Sequence, residues 1–160
     1  MKNTSFLSER ISRSARINLN AAIADAFPLF GPIKEMEWAA GWTPEIIYGH
    51  PALVEEHMIF QTRGNEEEGK YTWTVSQFDP EQYRIEYTVS TPNRVWFIQV
   101  QCVPLGDKTQ STISYTFTGL TRRGNELNRQ ALEEMYVDDL KDWEEDINFY
   151  LATVKRNEKV

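Results

Sequence analysis

The chain has 160 residues, of which 41% are hydrophobic and 26% charged, which is the length and composition of one globular domain with a buried core. Its net charge of -7 disfavours a phosphate-binding surface, so no DNA or RNA partner is expected. No window approaches the roughly 18 apolar residues of a membrane span and no signal peptide is recognisable, so a cytoplasmic protein is expected.

The N-terminal part of the sequence predicts one strand followed by two short helices. Residues 1–13 are polar and mixed in charge, and we expect them to pack loosely. Residues 15–20 alternate apolar and polar side chains with the period of two that is typical of a half-buried strand. Asn20 is the expected N-cap of the first helix, which Pro28 interrupts, and a second short helix is expected over about residues 32–40.

Between Gly41 and Thr121 the hydrophobic pattern has the period of strands. The clearest alternation places Tyr71 and Trp73 on one face of a strand, with threonines between them. Turn residues such as Asp79-Pro80 separate the apolar runs, and links this short allow only antiparallel pairing. Six strands are therefore predicted, over residues 45–48, 57–63, 70–78, 83–90, 94–103 and 109–120.

The cysteine and histidine content predicts neither a metal site nor a cofactor. Cys102 is the single cysteine, which excludes an intrachain disulfide and a thiolate cluster, and its apolar surroundings predict a buried, unreactive thiol. His50 and His57 have no carboxylate at ligand spacing, and we interpret them as polar residues of a loop and of a strand end.

The last third of the chain predicts one long helix from Asn125 to about Lys155, since no proline or glycine interrupts it. Apolar residues recur at spacings of three and four, and most acidic side chains between residues 133 and 146 lie off this stripe, which indicates a solvated face. About thirty residues at 1.5 Å each extend roughly 45 Å, so this helix must cross the sheet. The whole chain, residues 1–160, is predicted to be a single domain.

Several local motifs follow one another in a specific order along the chain. They are Phe27-Pro28-Leu29 leading to Trp38, Gly41-Trp42, Trp73, Asp79-Pro80, and Thr118-Gly119-Leu120-Thr121 before Gly124-Asn125. This order resembles the Bet v 1-like superfamily, also called START-like, SRPBCC or polyketide cyclase-like, and in particular its bacterial members. The resemblance implies an α+β helix-grip fold, in which a curved antiparallel sheet of about seven strands wraps around a long C-terminal helix in the order β-α-α-β6-α.

The resemblance also implies an internal cavity for small apolar or amphipathic molecules, and aromatic side chains are the candidates to line it. Tyrosine and tryptophan combine a large apolar surface with one polar tip, which suits an apolar ligand that carries a few oxygens. Ordinary core packing is the alternative for each residue. The candidates are Trp38 and Trp42 near the mouth, Tyr71, Trp73, Tyr87, Trp96, Tyr115 and Phe117 on strands, and Met135, Tyr136 and Trp143 on the helix.

No arrangement of catalytic residues is recognisable in the sequence. Glu35 and Glu37 point to different faces of a helix, so they do not form a carboxylate pair. We expect one of them to be fixed structurally, for example by bonding backbone groups near Gly41-Trp42, with a ligand contact as the alternative. Residues 64–69 form a predicted hairpin tip whose three glutamates would repel a phosphate.

Three functions stay open. The favoured one is binding of a small hydrophobic or amphipathic ligand (a lipid, a polyketide or an aromatic compound) between sheet and C-terminal helix, with little or no catalysis, by a monomer or homodimer. A polyketide cyclase or dehydratase would need an inward His57, or an inward tyrosine close to a second polar group. A protein-interaction module of the Hsp90-activator-like kind would have a filled core and an exposed apolar patch.

Overall fold

A seven-stranded antiparallel sheet frames the molecule, for which a computed structural model describes residues 6–158. Six of its strands follow one another as a meander, in which each pairs with the next along the chain. The first strand pairs instead with the last, so that the sheet order is β1-β7-β6-β5-β4-β3-β2. The strands are β1 (Arg10–Leu19), β2 (Glu45–Tyr48), β3 (Ile59–Arg63), β4 (Lys70–Asp79), β5 (Arg84–Ser90), β6 (Arg94–Leu105) and β7 (Lys108–Gly119).

The six strands predicted between residues 45 and 120 are confirmed, with ends that shift by two residues or fewer, whereas β1 starts at Arg10 rather than near Ala15. Its polar first half is ordered by pairing with β7, where the hydroxyl oxygens of Ser14 and Ser114 lie 2.6 Å apart. Hydrophobic periodicity does not detect a strand half that is held mainly by backbone bonds. Residues 1–5 of the segment that was predicted to pack loosely lie outside the described residues.

The two predicted short helices are reduced to single turns. The first, α1 (Ile23–Ala26), continues into a 3-10 turn at Phe27–Phe30, and the second element is only a 3-10 turn at Lys34–Glu37. The N-cap of α1 is Ala22 rather than the predicted Asn20. Asn20 extends past β1 instead, where its backbone N–H donates to the Asn148 side chain at 2.8 Å.

The prediction of one uninterrupted C-terminal helix is wrong. The chain forms α2 (Arg122–Met135) and α3 (Lys141–Glu158), and between them Asp139 and Leu140 adopt left-handed backbone angles, with φ of 49° and 61°. The buried Tyr136 donates its hydroxyl to the carbonyl of Ile113 on β7 at 3.1 Å, which anchors the end of α2 to the sheet. Tertiary anchoring therefore outweighs the local preference for a continuous helix. No helix within residues 6–158 has both the length and the apolar character needed to cross a bilayer.

The inner face of the curved sheet carries the core. Alternate residues of β5, β6 and β7 are buried on this face, and the residues between them are partly exposed on the outer face. Helix α2 packs on β7, β1 and β6, and α3 packs mainly on β1. A bulge between Val75 and Gln77 interrupts the register of β4 with β5, and bulges of this kind bend sheets. Cys102 is buried as predicted, and burial raises the pKa of its thiol to about 11.

A buried ion pair ties the β3–β4 loop to the start of β6. Arg94 donates from Nε and Nη2 to the Glu68 carboxylate at 3.1 and 2.7 Å, and the two side chains are 5% and 0% exposed. Thr91 also donates to Glu68 at 2.8 Å, and the guanidinium carbon of Arg94 lies 4.7 Å from the centre of the Trp96 ring. The three glutamates of this loop were predicted to repel a phosphate together. At most two of them can do so, because the charge of Glu68 is neutralised by Arg94 inside the protein.

Burial opposes the ionisation of Glu68. The hydrogen bonds from Arg94 and Thr91 and the charge of Arg94 outweigh that effect, so the pKa of Glu68 lies below its usual value. A carboxyl group with a lowered pKa contributes stability at neutral pH, and this contribution is lost as the pH falls through the folded-state pKa.

We expect Glu68→Gln to lower the free energy of unfolding by about 3 kcal/mol, because a buried Arg94 charge without its counter-ion is costly. Urea unfolding at neutral pH measures the change. Glu67→Gln is the matched control in the same loop, since Glu67 pairs with Arg123 where both side chains are about half exposed, and it should change stability far less than Glu68→Gln. Equal losses in the two variants would contradict this account.

Candidate ligand-binding site

A cavity of about 340 Å³ opens between the Lys34–Glu37 turn, the inner face of the sheet and the start of α3. Four of its lining residues are tryptophans and three carry carboxyl groups. The lining consists of Glu35, Trp38, Ala39, Ala40, Gly41 and Trp42 from the turn region, Trp73 on β4, Tyr115 on β7, and Asp142, Trp143 and Asp146 on α3.

The indole rings of the turn region and of β4 are held by hydrogen bonds to the protein itself. Trp38 donates its Nε1–H to the carbonyl of Leu29 at 2.8 Å, and Trp42 donates to the carbonyl of Pro32 at 2.8 Å. Trp73 donates to a threonine hydroxyl of β3 at 2.9 Å. These bonds fix the orientation of the three rings, so this part of the cavity wall is preorganised.

The rings contact one another mostly edge to face, the arrangement that aromatic quadrupoles favour. The centres of Trp42 and Trp73 lie 5.2 Å apart at an angle of 82°. Trp143 contacts Trp38 at 5.9 Å and Tyr115 at 6.4 Å. The first helical turn of α3 and the turn region are therefore joined through aromatic contacts across the cavity.

Glu35 is the buried titratable group of this cavity. Part of the residue is exposed, but its carboxyl group points inward, where burial raises its pKa to about 8. Burial also raises the pKa values of Tyr87 and Tyr115 well above their usual range, and the nearby charge of Glu35 raises them further. Within residues 6–158, neither the Glu35 carboxyl group nor the Tyr115 hydroxyl has a hydrogen-bond partner, whereas Tyr87 donates to the carbonyl of Phe30 at 2.6 Å.

Solved structures with the same architecture were found over nearly the whole chain. Norcoclaurine synthase from Thalictrum flavum has a TM-score of 0.66 at 14% identity, over 91% of this chain and 88% of that one. The protein Ara h 8.0201 has a TM-score of 0.67 at 11% identity, over 91% and 99%. The Zhui aromatase/cyclase from Streptomyces sp. R1128 has a TM-score of 0.59 at 13% identity, over 83% and 90%.

The chain has the Bet v 1-like fold. This confirms the helix-grip architecture predicted from the sequence. No family model matches the chain, and no curated protein matches it in sequence. At identities this low, the shared fold does not transfer a ligand or a reaction.

The Bet v 1-like framework brings only part of the predicted lining to this cavity. Tyr71 packs edge-on against Trp96 and accepts a hydrogen bond from Arg94 at 3.2 Å, and Met135 packs against the core. As ligand contacts, all the candidates stay predictions. Trp38, Trp42, Trp73, Tyr115 and Trp143 line the cavity, whereas Tyr87, Trp96, Phe117 and Tyr136 are buried in the core.

One of the two glutamates of the turn region, Glu37, is held structurally as expected, but not by the suggested backbone groups. Within residues 6–158, neither side chain bonds the backbone near Gly41-Trp42. Glu37 accepts the hydroxyl of Tyr150 at 2.5 Å, while Glu35 faces the cavity. The sequence was interpreted with α-helical geometry, whereas a 3-10 turn forms and directs these side chains differently.

Asp142 and Asp146 are exposed, as the predicted solvated face requires, and they also border the cavity. Asp142 and Asp146 are four residues apart in the sequence, with Trp143 between them, so they share one side of α3. This spacing is the one sequence signal that could have placed them beside the cavity. His57 is exposed and has a left-handed φ of 70°, so it does not supply the inward histidine that a cyclase could use. The other requirement, an inward tyrosine near a second polar group, is met by Tyr115 and Glu35.

A second cavity of about 360 Å³ lies on the other side of the turn region, between Phe27, Leu53 and Phe78. Its lining is apolar except for Lys34. Ligand sites usually combine an apolar wall with a few convergent polar groups, and the tryptophan-lined cavity fits that description better.

Glu35 should make stability depend on pH. The folded protein binds the Glu35 proton more tightly than the unfolded chain, whose pKa is near 4.5, so this group's contribution to stability is complete below that pH and is lost as the pH rises to about 8. Glu35→Gln should therefore gain stability over the wild type with rising pH, on the order of 4 kcal/mol near pH 8. Urea unfolding across this range measures it, with the exposed Glu145→Gln as a charge control. Parallel curves for wild type and Glu35→Gln would contradict the burial of this carboxyl group.

Proposed function

We propose that this protein binds a small, mainly apolar molecule in the tryptophan-lined cavity. The observation that carries the proposal is a preorganised aromatic cavity whose polar groups, the Glu35 carboxyl and the Tyr115 hydroxyl, have no partner among residues 6–158. Both groups are accessible from the cavity rather than sealed in the core, so they are free to bond a bound molecule. A ligand with a polar group on an apolar body would satisfy them and cover the indole faces.

The volume supports a small ligand rather than a long lipid. At about 340 Å³ the cavity lies at the lower end of the range for small-molecule sites. The aromatic rings of the cavity wall favour a ligand with an aromatic body, because aromatic rings make stacked or edge-to-face contacts with one another that aliphatic chains cannot make. The ligand class proposed is therefore a compact aromatic compound.

The cavity also favours ligand binding over the protein-interaction alternative. That alternative predicted a core filled by side chains together with an exposed apolar patch. Exposed apolar side chains do occur, for example Val137 and Phe149, but the unpartnered polar groups lie in the cavity and not beside them.

Mass spectrometry of the purified protein, native and after solvent extraction, should detect a co-purifying aromatic compound, and the empty protein should bind the neutral fluorescent probe N-phenylnaphthylamine. Trp143→Leu should weaken probe binding by about tenfold, because it removes one ring of the wall. Phe149→Leu, on the same helix but 73% exposed, is the matched control and should bind normally. If no molecule co-purifies and no saturable binding occurs, the proposal fails.

A second candidate function, cyclase- or dehydratase-type catalysis, is favoured by the pairing of Glu35 with Tyr115. A carboxyl group with a pKa of about 8 is protonated at neutral pH and donates a proton there, and it becomes a base at higher pH. General acids and bases work best when their pKa lies near the working pH. Removal of water by aromatic walls would strengthen either role.

Nitrobenzisoxazole tests this second function, because a base that removes its ring proton breaks the N–O bond and releases a coloured phenolate. The protein should accelerate this reaction, with a rate that rises as the pH passes about 8, and Glu35→Gln should abolish the acceleration. Glu37→Gln is the matched control, since Glu37 bonds Tyr150 outside the cavity lining. No acceleration, or one that survives in Glu35→Gln, would reject catalysis by this group while ligand binding stands.

A further inference from the structure

We propose that the ligand of this cavity is a protonated amine carried on an aromatic or apolar body. The inference rests on the proposed function and deepens it by naming the charge of the ligand. Three independent features of the cavity carry it: the faces of its rings, the sign of its charges, and the hydrogen-bonding character of its unpartnered groups.

The first feature is that three of the four indoles of the lining offer their faces rather than their N–H edges. The Nε1–H groups of Trp38, Trp42 and Trp73 are all bonded to acceptors of the protein, at 2.8 to 2.9 Å. These donors are therefore not available to an anionic group in the cavity. These three indoles leave a ligand their electron-rich faces, and tryptophan has the strongest attraction for cations among the aromatic side chains. The fourth indole, Trp143, keeps one N–H without a partner within residues 6–158.

The second feature is the charge of the lining. The acidic residues of the lining are Glu35, Asp142 and Asp146, and no lysine, arginine or histidine belongs to the lining. Asp142 and Asp146 lie four residues apart on α3, and neither forms an ion pair with a residue of the described range 6–158. At neutral pH the negative field at the cavity comes from Asp142 and Asp146, Glu35 adds its charge only as the pH passes about 8, and the net charge of -7 for the whole chain has the same sign.

The third feature is that Tyr115 and Glu35 lack hydrogen-bond partners inside the cavity. Tyr115 is only 6% exposed, lines the cavity, and its hydroxyl has no hydrogen-bond partner within residues 6–158. Once ionised, above a pH of about 8, the carboxylate of Glu35 is an acceptor only, and a phenol oxygen accepts as well as donates. An ammonium group carries N–H donors for both, whereas a quaternary ammonium carries none, so the observations favour a protonated amine.

The ammonium group would contact Glu35 and Tyr115, and the apolar body would lie against the tryptophan faces. Tyr87 and Tyr115 from the sheet lie near Glu35, Asp142 and Asp146 border the same cavity at exposed positions of α3, and Glu37 pairs with Lys34 at 3.7 Å in the same turn. All the facing groups are acidic or neutral, so a cation is the ion that this environment stabilises.

The test compares three ligands that share one ring and differ in charge: phenethylamine, phenethyl alcohol and hydrocinnamate. Binding is measured by calorimetric titration near pH 8.5. At this pH the amine is protonated and most of the Glu35 carboxyl group is ionised. Phenethylamine should bind at least about tenfold more tightly than the alcohol, and hydrocinnamate should bind most weakly.

The double variant Asp142→Asn/Asp146→Asn should weaken phenethylamine binding at least about fivefold and leave the alcohol within about twofold of the wild type. Its matched control is Glu133→Gln/Glu145→Gln, which removes the same charge from exposed helix positions outside the lining. If the control weakens the amine as much as the double variant does, the effect belongs to net charge and the inference is overturned.

The outcomes separate this inference from the function on which it rests. Equal binding of amine and alcohol, or a preference for hydrocinnamate, would overturn the charge assignment while the cavity remains a binding site. Failure of all three ligands, together with the absence of any co-purifying molecule, would overturn the proposed function and this inference with it.

Discussion

The structure depends on one constraint: the apolar inner face of a seven-stranded curved sheet has to be covered, and two helices do not cover all of it. Helix α2 packs on β7, β1 and β6, and α3 packs mainly on β1. The inner face of β3 to β5 is left to its own aromatic side chains and to the turn region. Phe27 stacks on Phe78 there, and Trp42 packs against Phe60. The cavity lies where these two types of cover meet.

The protein places two glutamates in opposite electrostatic environments. Glu68 is buried with Arg94 and three neutral hydrogen-bonding side chains around it, so the environment favours its ionised form. Glu35 is buried among rings without a cation nearby, so the environment favours its neutral form. The first arrangement holds a loop to the sheet, and the second costs stability at neutral pH. Groups that are costly to the fold and are not satisfied by it are often the ones that serve a ligand or a reaction.

The sheet could be predicted because its signals are local. Alternation along Tyr71 to Val75 and the turn at Asp79-Pro80 specify strands and their ends within a few residues of sequence. The order of these elements then restricted the fold to the helix-grip class. The structure places Trp38, Trp42 and Trp73 at one cavity, because aromatic residues on the inner face of such a sheet have few other places to lie.

What could not be predicted depends on contacts between distant residues. The break before α3 follows from the bond of Tyr136 to β7, and nothing near Asp139 in the sequence signals it. The inward direction of Glu35 depends on a 3-10 turn whose geometry differs from that of an α-helix by less than one residue per turn. The pairing of Glu68 with Arg94 joins residues that are far apart in the chain and is visible only after folding.

The pairing of β1 with β7 has a consequence for how the chain is made. Arg10 and Thr118 are partners, so roughly 100 residues have to be synthesised after β1 before its partner exists, which takes on the order of 5–20 s at ribosomal rates. During this time Ile17 and Leu19 have no strand to shield them, and β6 has one open edge. The sheet can close only when β7 inserts between them. Nascent chains that end before Lys108 should therefore bind chaperones. This binding should be lost when the last helix has been released from the ribosome.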